Sequence, residues 1–145
     1  MFDDHTIADN RSAFPELTGS DVEWLTFVVS HCKLYLRVTG APRGRGLILF
    51  IYLQYVDGPL QLHNVRLRLA TEPEWDATRR RFPANEGYYP VGGDDCLVIE
   101  GSEGRTVIVA NQMSLHWEDE GGGILRDAEQ NEGPLWAGGP PLSQF

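Results

Sequence analysis

The chain has 145 residues and a mass of 16.2 kDa, which suits one domain with a single hydrophobic core. At 41% hydrophobic and 23% charged it has the composition of a globular protein, and a chain of this length needs neither disulfide nor metal to fold. Twelve basic residues against 21 acidic ones leave a net charge of −9. That charge repels a phosphate backbone and an anionic membrane surface alike, so neither nucleic acid nor membrane is expected as a partner.

The start, Met1-Phe2-Asp3-Asp4-His5, is acidic, and no apolar run of export-signal length follows it. The longest apolar stretch is Leu47–Leu53, far short of the ~20 residues that span a bilayer. A cytoplasmic location is expected. Two cysteines, Cys32 and Cys96, lie beside or inside strand-like runs and read as free thiols in such a compartment. His31 adjoins Cys32, but neighbours on a strand point to opposite faces, which counts against a nucleophilic pair.

Residues 1–20 form a polar, acidic arm in which Phe14 and Leu17 could anchor a short helical turn. A period of two then sets in, the pattern of half-buried strands. Val22–Ser30 and Lys33–Thr39 predict two strands joined by a hairpin with no glycine in its turn, and residues 39–46 are a loop broken by Gly40, Pro42, Gly44 and Gly46. Leu47–Val56 is apolar on both faces, with Leu47, Leu49, Ile51 and Leu53 on one side and Ile48, Phe50 and Tyr52 on the other. This predicts a central strand covered twice. Asp57-Gly58-Pro59 is a turn. In Leu60–Ala70 the apolar parity switches at His63-Asn64, where a β-bulge would restore a single apolar face.

Thr71-Glu72-Pro73-Glu74 has the form of a capping box with a proline in the first turn. It predicts a helix over 72–82 that Pro83 stops. Residues 83–95 make a long loop. Cys96–Glu100 and Arg105–Asn111 flank the hairpin turn Gly101-Ser102-Glu103-Gly104, and Ser114–Glu118 reads as a last strand. From Asp119 to Phe145 glycine, proline and acids dominate, a tail expected to add little stability. The fold class is therefore mainly β: an antiparallel sandwich or strongly curved sheet of about seven strands with one short helix, a β core over 21–118 in a single domain.

Candidate chemistry is sparse. The histidines at 5, 31, 63 and 116 show no metal-binding spacing, and no C-x-x-C exists. His116 and Glu118 share a strand face and could be half a metal site; a polar strand end is the plainer reading. Gly92-Gly93-Asp94-Asp95 lacks the register of a calcium loop. Gly101–Gly104 lacks a nucleophile elbow, and Gly40–Gly46 opens a strand rather than a helix, unlike a phosphate loop. Arg79-Arg80-Arg81 sits where a helix dipole favours cations. No catalytic, cofactor or metal residue is assigned. Both ends of the chain are acidic, which favours solubility or a partner with a basic face.

The order of strands, with Asp21-Val22-Glu23-Trp24 at the opening, the two-sided Leu47–Tyr55, Leu60–Ala70 with its His63-Asn64-Val65, and the run Leu97–Ala110, resembles small β-rich immunity proteins of bacterial polymorphic-toxin systems. The resemblance covers about residues 20–118 as a hydrophobic pattern without a signature motif. It implies a non-catalytic binding protein, without cofactor, that occludes the active site of a cognate toxin in the producing cell. Tight neutralisation calls for aromatic anchors with charge complementarity, and Tyr88, Tyr89, Asp94, Asp95, Trp117, Glu118, Asp119 and Glu120 are the expected partner-binding residues. The other classes that the residues leave open are a small-ligand-binding β domain, with an enclosed apolar pocket, and an enzyme using carboxylates or His116 in a cleft.

Overall fold

The structure is a computed structural model that describes residues 11–83 and 90–118. Its strands are β1 (Asp21–Val28), β2 (Lys33–Ala41), β3 (Gly44–Asp57), β4 (Gln61–Leu62), β5 (Arg66–Leu69), β6 (Cys96–Gly101) and β7 (Gly104–Trp117), with one helix, α1 (Glu72–Thr78), between β5 and β6. All seven strands join one antiparallel sheet in the order β4-β1-β2-β3-β7-β6-β5. The mainly β class with one short helix expected from the alternation is what the chain adopts.

The order places consecutive strands β4 and β5 at opposite edges. In a flat sheet six inter-strand steps of about 4.8 Å would separate them by roughly 29 Å. Only His63, Asn64 and Val65 join them, a link that reaches at most ~14 Å. The sheet must therefore curl, and it forms a half-barrel. Backbone bonds stitch the crossing residues to their surroundings: Val65 exchanges bonds with Gly19 and Ser20 (2.8 and 2.9 Å), and Ser102 N donates to His63 O at 2.8 Å. Asn64 turns the corner in the left-handed region at φ 53°, which asparagine tolerates better than most residues. The parity switch at His63-Asn64 is thus an edge-to-edge crossing, not the bulge within one strand that the pattern predicted. Leu62, Val65 and Leu67 all reach the same interior from its two sides.

Side chains fill the concave face. Leu34, Leu36, Ile48, Phe50, Leu97, Ile99, Ile108 and Met113 are among nineteen described residues of one buried cluster. A 3-10 segment, Arg11–Leu17, crosses it and inserts Phe14 and Leu17, the anchors expected of the N-terminal arm. The first ten residues lie outside the described ones. In β3 the even positions Ile48 and Phe50 face inward and Leu47, Leu49 and Ile51 outward, until the register shifts between Leu53 and Tyr55. Tyr52 adopts φ 56° there, a strained backbone for an aromatic residue that costs on the order of 1–3 kcal/mol. The shift turns Leu53 and Val56 inward, so Leu53 does not share a face with Ile51 as strict alternation predicts.

Two further boundaries differ from the sequence pattern. The two strands expected over 105–111 and 114–118 are one long strand, β7, because β3 offers a partner along most of its length. Helix α1 stops at Thr78 rather than 82, where the chain tightens with Arg81 N bonded to Thr78 O at 2.9 Å. Its start is as the sequence predicts: Glu74 N donates to Thr71 Oγ1 (3.3 Å) and Thr71 N to Glu74 Oε1 (2.8 Å).

At the β3–β4 turn, Gly58 has φ 125°, and an added Cβ would lie 2.4 Å from Arg105 O. Gly44 also has positive φ (105°), but with no neighbour within 4 Å. Gly58→Ala is expected to destabilise the fold by more than about 1 kcal/mol and by clearly more than Gly44→Ala, the difference in urea midpoints reporting the backbone clash.

Candidate functional site

Helix α1 and the loop after it pack on the convex face of β6, the middle of β7 and the end of β3. Val91, Cys96 and Val109 are buried there, with Trp75, Phe82, Tyr55 and Val107 around them. Tyr55 stacks on Phe82 at 5.3 Å. A cleft of about 180 Å³ opens between α1 and the sheet, lined by Tyr55, Asp57, Glu74, Thr78, Arg81 and Arg105.

Charge in and beside this cleft is ordered around Glu74. Arg68 grips it with two bonds, Nη1 to Oε1 at 2.6 Å and Nη2 to Oε2 at 2.9 Å, and reaches Glu100 through Nε at 3.1 Å. Arg105 Nη1 adds a bond to Oε2 at 2.8 Å. A carboxylate accepting bidentate bonds from Arg68 and another from the Thr71 amide strongly favours its ionised form, and its pKa falls to about 2. Arg81 pairs with Asp57 at 3.3 Å. Both arginines lining the cleft are thus committed to carboxylates, and the network fixes α1 to β5 and β7. The three arginines 79–81 divide: Arg79 and Arg80 meet Asp76, and Arg81 meets Asp57.

At the half-barrel's seam, His63 Nδ1 bonds Glu103 Oε2, and His63 N donates to Glu103 Oε1 at 2.8 Å. The crossing between β4 and β5 is thereby clasped to the β6–β7 turn, where Gly101 abuts Leu62. Glu103 raises the pKa of His63 above its ordinary 6.5 through the side-chain bond and its charge, and His63 lowers that of Glu103 below 4.5. Raised histidine and lowered carboxylate both mean that the pair stabilises the fold fully between about pH 4.5 and 6.5. Its contribution fades as pH rises through the folded pKa of His63, and again as pH falls through that of Glu103. The urea midpoint should therefore decline as pH is raised above 6.5, and His63→Gln should flatten that decline.

The expected partner-binding residues that the structure describes, Asp94, Asp95, Trp117 and Glu118, do not form one patch. Asp94 and Asp95 lie in a 3-10 turn, Gly93–Asp95, where Asp95 Oδ2 accepts from Gly92 N at 2.9 Å. Glu118 follows the far end of β7, with Oε1 3.1 Å from Arg45 Nη2. Cys96 is opposite Val109, so about nine residues of β7 separate the two places, roughly 25–30 Å at ~3.3 Å per residue. Trp117 is 2% exposed and belongs to the interior cluster, beside Gly46 and under Arg43. It is a core residue rather than a surface anchor, because the register with β3 turns it inward. Tyr88, Tyr89, Asp119 and Glu120 lie outside the described residues. His116 does not join Glu118: its Nε2 lies 2.8 Å from the buried Ser114 Oγ. Among the described residues no three histidine, cysteine, aspartate or glutamate side chains gather to hold a metal ion, and no helix is long and apolar enough to cross a membrane.

Cys32 is exposed at the β1–β2 turn and Cys96 is buried, both as free thiols. Burial pushes the Cys96 thiol up to about 11, which keeps it protonated and inert at neutral pH. A thiol reagent is expected to titrate one cysteine in the native chain and two after denaturation.

Comparison with known protein families, curated proteins and solved structures finds no match to this chain.

Proposed function

We propose that the protein is a non-catalytic binding protein of the immunity type, which neutralises a bacterial toxin domain by covering its active site from outside. One observation carries the reading: the half-barrel's concave face is filled by its own side chains, Phe50, Ile48, Leu36, Leu97 and Ile99 each at most 1% exposed. The place where a curved sheet would otherwise hold a small ligand is occupied, which leaves the outer surface to act. That surface belongs to a chain of net charge −9, suited to a partner with a basic face. Among the described acidic positions, Asp94 is exposed on the turn before β6 with Asp95 half-buried beside it, and this turn is the contact site in this reading. The site of action in this reading is the producing cell's cytoplasm.

The test is co-expression with the product of the neighbouring gene, which this reading expects to be a toxin domain. A stable one-to-one complex and rescue of growth are expected. Asp94→Asn with Asp95→Asn should slow association several-fold at low salt and less at high salt, as removal of steering charge does. A toxin domain that kills co-expressing cells and forms no complex at low salt would overturn the proposal.

A further inference from the structure

The convex face of the sheet has two halves. Helix α1 covers the one over β6 and the middle of β7. The other half, over β1, β2 and the first part of β3, carries Leu25, Tyr35, Leu47, Leu49 and Ile51. Register fixes their side: Leu34 and Leu36, opposite Phe50 and Ile48, point into the concave core, so Tyr35, opposite Leu49, points away from it. A single-layer sheet would leave this face in water. Yet the five residues are between 0 and 3% exposed, and among the described residues the only further apolar side chains packed on them are Val28 and Tyr52.

We infer that this face is the docking surface of the chain's own C-terminal segment, residues 119–145. The outward row of β3 begins at Arg45, and Arg45 holds Glu118, the residue before that segment, through its side chain and its carbonyl. The segment therefore starts at the head of the row it covers. From Arg45 to Ile51 the row is roughly 20 Å long at ~3.3 Å per residue, and 27 residues reach several times that distance. The segment carries Ile124, Leu125, Leu135, Trp136, Leu142 and Phe145 to set against the apolar row. Five acids against Arg126 make it acidic, while Lys33 and Arg37, the latter also paired with Glu23 at 2.8 Å, flank Tyr35 on the outward row of β2. The other candidates start from the wrong place. Residues 1–10 lead into Phe14 and Leu17, which lie on the concave side. Residues 84–89 are tied between Pro83 and Pro90, next to the half that α1 already covers. The Gly/Pro/acid-rich end of the sequence is, in this inference, a covering layer rather than a tail.

Photo-cross-linking of the full-length chain tests it. Tyr35→p-benzoylphenylalanine keeps an aromatic ring in the middle of the row, and Tyr52→p-benzoylphenylalanine probes its half-buried edge should the first variant fail to fold. After irradiation, peptide mapping is expected to find an intramolecular cross-link to residues 119–145. Cross-links to residues 1–10, to 84–89 or to a second copy of the chain, or a folded variant giving none, would overturn the inference.

Discussion

A three-residue tether, His63 to Val65, joins the two outermost strands of the sheet, and the architecture follows from it. The tether is too short for a flat arrangement, so the strands wrap until their edges approach. Wrapping creates a concave side, and the concave side becomes the core. It also requires strands to bend, which the irregularities at Trp24–Thr26, Val38–Ala41 and Leu53–Tyr55 supply. Such bulges add local twist and re-aim side chains. In β3 the last of them converts a strand buried on two sides into one that serves the core with Leu53 and the α1 cluster with Tyr55.

Local physics was legible in the sequence, and long-range pairing was not. Alternation located most strands, because one apolar face per strand is a local property. The capping box at Thr71 and Glu74 is equally local. The same glutamate also anchors Arg68 and Arg105, and Arg105 lies beyond a whole loop and strand, where no spacing rule reaches. At His63-Asn64 the pattern showed that something changes but not what: a bulge and a crossing both reverse parity, and only the neighbours on each side tell them apart. Trp117 misled for the same reason. An aromatic residue at a strand's end looks like a surface anchor until its register against Gly46 is known. The β1–β2 turn carried no glycine signal, because His31 and Cys32 take left-handed backbones themselves.

Charged side chains among the described residues hold the elements to one another. Arg68, Glu74 and Glu100 hold α1 to β5 and β6, and Glu74 is so well bonded that its pKa lies well below the ordinary carboxylate value. Asp57 and Asp76 take up the arginines after the helix.

The sheet's edges bear on how recognition can work. Its outermost strands, β4 and β5, are only two and four residues long, and the chain bends away from each at the seam. Edges that short offer almost no backbone template to an incoming strand. At these two edges an incoming strand would find little ladder to extend, and the same brevity guards them against edge-to-edge fibre formation.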